Sequence, residues 1–295
     1  MLHATTVSFW TDALLIDRLE LPHLLRLIRR SLVFATFAVM VWALDRYTRL
    51  TLTLDFAPYQ VGGAALSLLL VMRTNGGYER WWEARKLWGG VVNQSRNLAT
   101  AALAYGPSDA KWRSEFVRWT IAYSHAMRRC LRGDRNAPEL ETLLGPAAAA
   151  RVTTANHMAL HVAAELARRL DDAMKNHGLD GFAFLRIDQE RAMLVDHLGG
   201  CERIRTTPVP WGYVVTLRHF LVVFLALLPF ALIEHVRWMT PLITLFVAFP
   251  LLALDEMASE LQNPFTPGNM DHLQLDEFCA TIERNLLALH DAQPV

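Results

Sequence analysis

The chain has 295 residues with 29 basic and 29 acidic side chains, so its formal charge is zero and nothing in that balance invites a nucleic-acid partner. Its hydrophobic fraction of 53% lies above the usual range for soluble domains. Cys130, Cys201 and Cys279 stand far apart without a CxxC pair, which argues against a disulfide framework and leaves buried, reduced thiols as the expectation.

Residues 1–30 interleave Leu14, Leu15, Leu21, Leu25 and Ile28 with Arg18, Arg26, Arg29 and Arg30. That pattern is expected of an amphipathic segment on the cytoplasmic face of a membrane, although an ordinary soluble helix face has the same composition. The first apolar patch, Ala13 to Ile16, is too short for a cleavable leader and runs into Asp17 and Arg18.

Four uncharged runs come in two pairs: Ser31–Leu44 and Phe56–Met72, then Phe220–Ile233 and Trp238–Leu254, of 14, 17, 14 and 17 residues. A lone span needs about 20 residues. Each pair is joined by a short polar hairpin and flanked by Arg or Lys, so the runs are expected to form an assembled membrane bundle. Arg218 and Asp55 fall near membrane depth and should face protein or water. More basic residues flank the outer ends of the first pair than its connecting loop, which places both termini and residues 74–205 in the cytoplasm. Five segments follow: an amphipathic stretch (1–30), two spans (31–73), a cytoplasmic helical region (74–205), two further spans (206–254) and a C-terminal tail (255–295).

Within 74–205, Trp112, Phe116, Trp119, Tyr123 and Met127 recur at helical spacing between Lys111 and Leu131. A second helix is expected from Ala149 to Met174, with Leu160, Ala164, Leu166 and Leu170 towards a core. Gly178, Gly181, Gly199 and Gly200 are read as interruptions, and Pro208 and Pro210 as a linker. A last helix runs from Asp276 to His290. No strand alternation stands out, so the fold class is all-α.

Little here points to an enzyme. His157 and His161 are spaced as two metal ligands on one helix face, but no HExxH pattern or third ligand accompanies them. The glycine pairs make no phosphate-binding motif. Asp255, Glu256 and Glu260 suggest either a cation site at an inner mouth or a solvated helix face. Trp81, Trp82 and Trp88 suit interfacial anchors, or core aromatics for at least one of them.

RTNGGYERWWEARKLWG (Arg73–Gly89) and GGCERIRTTPVPWGY (Gly199–Tyr213) resemble the two signatures of bacterial bestrophins, and DEMASELQNPF and CATIERNLL extend the likeness in collinear order. The resemblance implies a homopentameric ion channel in a bacterial inner membrane, with four transmembrane helices per subunit and a helical cytoplasmic portion. Its partners would be four more copies of the chain, the lipid bilayer and permeant inorganic ions. It also implies a neck lined by the second span, with apolar rings at Ala64, Leu68 and Met72, whose i, i+4, i+8 spacing independently puts them on one helical face. A second constriction, the cytoplasmic aperture, is expected at Phe182. Two departures from the family pattern stand out. Ala64 is small where a bulky residue is usual, and Asn263–Pro264–Phe265 lacks the acidic run that forms the calcium clasp of animal members, so no cofactor is expected. The acidic group at 255–260 tilts the expectation slightly towards monovalent cations, with a chloride or other anion channel as the alternative. A secondary transporter and a membrane-anchored scaffold are the rival readings of another class.

Overall fold

The structure, a computed structural model, describes residues 21–48 and 53–292. Ten α-helices account for most of them: α1 (Leu21–Thr48), α2 (Phe56–Tyr105), α3 (Ala110–Arg132), α4 (Pro138–Leu144), α5 (Pro146–Thr154), α6 (Met158–Asn176), α7 (Gly181–Thr206), α8 (Trp211–Val236), α9 (Thr240–Glu260) and α10 (Leu275–Asp291). A 3-10 turn, Arg237–Met239, joins α8 to α9. No strand occurs among the described residues, as the all-α reading requires. The expected amphipathic segment lies outside the described residues up to 20, and its last ten residues are the opening turns of α1.

The chain divides into two compact units. The first comprises the described residues up to 79 together with 209–262 and 268–271. The second comprises 80–208, 263–267 and 272–292 of the described residues. The break at 79/80 lies inside α2, which runs 50 residues without interruption, and the break at 208/209 lies in the linker that carries Pro208 and Pro210.

In the first unit, α1 and the α8–α9 stretch are long and apolar enough to cross a membrane by length and composition. The core is a leucine ladder on α8, with Leu217, Leu221, Leu225, Leu228 and Leu232 packed against Leu66 and Leu70 of α2 and Ala248 of α9. Spacing those leucines three or four residues apart stacks them on one face, so a single helix covers two neighbours. Tyr59 lies flat on Phe224, ring centroids 4.4 Å apart, and donates its hydroxyl hydrogen to the Phe224 carbonyl at 2.9 Å. Small buried residues, Ser31, Ala35 and Ala38 on α1 with Thr240, Thr244 and Ala248 on α9, bring those helix surfaces close. The hydroxyls of Ser31 and Thr244 each donate to a carbonyl one turn back, so neither needs a partner from outside its helix.

In the second unit, the aromatic stripe predicted on α3 is buried, and Asp109 caps that helix by accepting from Lys111 N at 2.9 Å. The helix expected from Ala149 to Met174 is two helices, because residues 155–157 break it and restart the phase. Val162, Ala163, Leu166 and Leu170 face the core, whereas Leu160 and Ala164 are exposed. The last four do not share a face: at 100° per residue, Leu160 and Ala164 sit on the side away from Leu166 and Leu170. The Gly199–Gly200 pair does not interrupt α7. A Cβ on Gly200 would sit 2.9 Å from both methyl carbons of Leu87, so the glycine permits close approach of α2 to α7 inside an intact helix. The gap at 207–210 falls where Pro208 and Pro210 require it. Of the three tryptophans, Trp88 is fully buried in this unit's core while Trp82 is exposed.

Candidate pore face and its ion-paired mounting

Within the first unit, one face of α2 is committed to packing. Leu66, Leu70 and Arg73 are buried, and Gly63 and Gly77 allow neighbours in. A Cβ at Gly63 would sit 3.1 Å from the Phe224 ring, and one at Gly77 would sit 3.2 Å from the Ala258 carbonyl oxygen. The positions three or four apart, 63, 66, 70, 73 and 77, mark a single stripe.

The opposite face is apolar and uncovered in the single chain. Ala64, Leu68 and Met72 all lie on it, with Leu68 62% and Met72 58% exposed. An exposed apolar row on a membrane-type helix needs lipid, a second chain or a pore to face. Val61, at 72% exposed, belongs to the same row. The resemblance places rings at Ala64, Leu68 and Met72, and Val61 is not among them. A step of three closes the helical turn equally well and would have found it. Below Met72 the same face continues with Asn75 and Glu79, both exposed and polar.

Met72 is followed by the most enclosed charge in the unit. The Arg73 side chain is 1% exposed. It donates to Asp255 Oδ1 through Nη1 and to Ser259 Oγ through Nη2 at 2.8 Å. Arg218 reaches the same pair from α8, with Nε donating to Asp255 Oδ2 at 3.1 Å and Nη2 donating to Ser259 Oγ at 2.9 Å. Two guanidiniums thus share one carboxylate and one hydroxyl, which ties α2 and α8 to α9. Of the two faces open to a charge at membrane depth, protein or water, Arg218 has protein in reach at Asp255 and Ser259. Sequence alone supplied no pairing with Asp255, 37 residues further along the chain.

The three carboxylates considered together in the sequence do not converge. Asp255 turns into the arginine pair. Glu256 accepts from Arg26 at 3.1 Å and from Arg30 at 2.6 Å. Glu260 lies 3.0 Å from His23 Nδ1, and its other oxygen accepts from Met270 N at 3.2 Å. His23, Glu256 and Glu260 have atoms close enough to ligate one ion, but Asp255 is not in that group, and Glu256 is already charge-compensated. Four guanidiniums hold two of these carboxylates, Arg26 and Arg30 on Glu256 and Arg73 and Arg218 on Asp255, while Glu260 is paired with His23.

Phe182 belongs to the second unit. It sits in the first turn of α7, where Asp180 Oδ2 caps the helix by accepting from Phe182 N at 2.9 Å and Ala183 N at 3.2 Å. The ring is 84% exposed and Leu185 beside it is 64% exposed, so an apolar knob projects from a rigid helix start. His157 and His161 do not form a ligand pair. His157 precedes α6 as its cap, with Nδ1 accepting from Leu160 N at 3.2 Å.

With this geometry in view, comparison with known proteins decides the family. Residues 10–288 match the family model described as bacterial/fungal bestrophin protein. The chain belongs to the bestrophin family. It is 34% identical over 263 residues to a voltage-dependent anion channel-forming protein, YneE, of Escherichia coli K12, covering 89% of this chain and 86% of that one. A protein of the same description from Mesorhizobium japonicum is 32% identical over 271 residues, covering 91% and 87%. The fold matches the crystal structure of a bacterial bestrophin homolog from Klebsiella pneumoniae with a TM-score of 0.83 at 29% identity, covering 90% of this chain and 99% of that one. This bestrophin is therefore a channel-family membrane protein and not an enzyme.

Proposed function

We propose that this bestrophin conducts small inorganic anions through an axial pore in a homopentamer, lined by the Val61–Ala64–Leu68–Met72 face of α2. The observation that carries the reading is the uncovered apolar row standing opposite a face fully engaged in packing. Apolar rings offer no ligands to replace a hydration shell, so ions pass hydrated when the neck is open, and a narrowed neck excludes water and ions together. Val61 adds apolar wall near the level where Ala64 is small. Phe182 forms the aperture, where an aromatic edge faces passing ions.

The preference for anions over cations reverses the tilt drawn from the acidic group at 255–260. Asp255 and Glu256 are each held by two guanidiniums, and these four outnumber the three carboxylates, so the group supplies no net negative field. The Escherichia coli and Mesorhizobium japonicum relatives are described as anion channel-forming proteins, which points the same way. The test is a bilayer recording of purified protein under a KCl gradient. A reversal potential near the chloride equilibrium value is expected, and one near the potassium value overturns the assignment.

A further inference from the structure

Alongside the close contact of α1 with α9 in the first unit runs an open groove of about 470 Å³. Its walls include Ile28 and Leu32 of α1 and Leu242, Phe246, Phe249 and Pro250 of α9. Every lining side chain is apolar, so water held there would find no side-chain partner. Leu32, Leu242 and Phe246 are exposed, which opens the groove outward to the surroundings of the unit. Between Leu242 and Pro250 it follows α9 for about 12 Å at the helical rise. Helices in hydrocarbon approach one another through small residues, and those of this pair, Ser31, Ala35 and Ala38 with Thr240, Thr244 and Ala248, are buried. A further helix would meet only bulky side chains here, whereas a flexible chain can lie between them. The α1 end of the groove carries a surplus of positive charge. Arg26 and Arg30 both hold Glu256, and Glu260 is paired with His23. Arg29 is exposed, and no carboxylate among the described residues pairs with it. It follows Ile28 directly and precedes Leu32 by one turn, so its stem lies beside the groove wall and its guanidinium can reach the membrane–water boundary.

We propose that this groove is a binding site for an anionic phospholipid, with one acyl chain between α1 and α9 and the phosphate on Arg29. The planar guanidinium fork matches two phosphate oxygens. Arg26 and Arg30 together exceed the charge of Glu256, and their field favours an anionic headgroup over a zwitterionic one. The site rests on the membrane character of this unit and is independent of which ion the channel conducts.

The experiment places the full-length protein in phosphatidylcholine vesicles with a trace of phosphatidylglycerol that carries a diazirine on one acyl chain, and maps the photolabel by mass spectrometry. Labelling is expected on α9 between Leu242 and Pro250 and on α1 around Leu32, displaced by unlabelled phosphatidylglycerol but not by more phosphatidylcholine. Arg29→Gln should lower that labelling about fivefold and leave the weaker labelling by a phosphatidylcholine probe of the same chain unchanged. If that variant does not fold, Leu32→Trp decides, because it fills the groove with Arg29 in place and should remove the displaceable label from α9. Labelling indifferent to headgroup or to these substitutions overturns the proposal. So does label spread evenly over the apolar helices, or a photo-crosslinking residue placed at Phe246 that couples to a second copy of the chain instead of to lipid.

Discussion

Replacing Asp255 by Asn tests the mounting beside Met72. The substitution keeps the shape and one carbonyl acceptor but removes the only carboxylate that Arg73 and Arg218 share. The two arginines do not respond equally. Arg218 is 45% exposed along its side chain and can turn to solvent, whereas Arg73 at 1% has nowhere to go. The cost is therefore that of one stranded buried guanidinium, about 3–5 kcal/mol. At about 2–4 °C per kcal/mol for a domain of this size, even the lower figure moves the melting midpoint down by roughly 6–12 °C. Loss of the intact species on heating, followed by size-exclusion chromatography in detergent, reads this directly. The double variant Arg73→Gln with Asp255→Asn leaves two neutral amides able to bond each other and should recover most of the loss. A single variant that melts within 2 °C of the wild type refutes the argument that this charge is locked in place, and so does a double variant no better than the single one.

Leu68→Ala and Met72→Ala each remove apolar wall from the proposed neck, so open probability or leak should rise in single-channel recordings; unchanged currents in both would displace the neck from this face. Phe182→Ala should alter relative permeability among halides and nitrate more than open probability, and identical bi-ionic reversal potentials would remove it from the aperture. Gly90→Ala sets a methyl 2.6 Å from the His197 ring and should cost about 1–3 kcal/mol despite the better helix propensity of alanine; a more stable variant would show that the ring yields freely. His125 is buried beside Arg128, Glu139 and Glu283, and burial, followed by the Arg128 charge, holds its imidazole below the ordinary value. The folded state thus binds fewer protons than the unfolded one below about pH 6.5, so stability is present above that pH and falls as the pH drops through the window. Melting curves between pH 5 and 8 should show that slope, and His125→Gln should flatten it. The Glu139 and Asp276 carboxylates, held below their ordinary values, affect stability only in a more acidic window, as the pH falls below about 4.

Helices announced by a single apolar period were legible. The Trp112–Met127 stripe gave α3 because its spacing never slips, and the four uncharged runs fall almost wholly within α1, α2, α8 and α9. Glycines misled in one direction. Gly199 and Gly200 look like breaks, yet the helix continues, and at Gly200 the missing Cβ serves contact with Leu87 rather than a turn. The Ala149–Met174 helix was overextended because alanines hide the phase change at 155–157. In the candidate site, the apolar row could be read from spacing, but the Arg73–Asp255–Arg218 cluster could not. A charge at membrane depth says that a partner exists, not which of several distant carboxylates it is. The same gap let three neighbouring acids look like one cation site, when adjacency on a helix sends Asp255 and Glu256 to different faces.

The clasp on Arg73 gives the proposed gate one fixed end. Met72 is its covalent neighbour, so turning α2 about its own axis to swing Met72 aside would drag a guanidinium out of its only neutralising partners. Dilation at that level is left to the flexible thioether, which can change rotamer while the backbone stays still. One neck-length away the helix is bound differently, through rings: Tyr59 lies flat on Phe224, and a Cβ at Gly63 would meet that same ring at 3.1 Å. The proposed gate is therefore clamped at both ends, by charge beside Met72 and by ring contacts near Val61, which leaves side-chain rotamers rather than helix rotation to widen it.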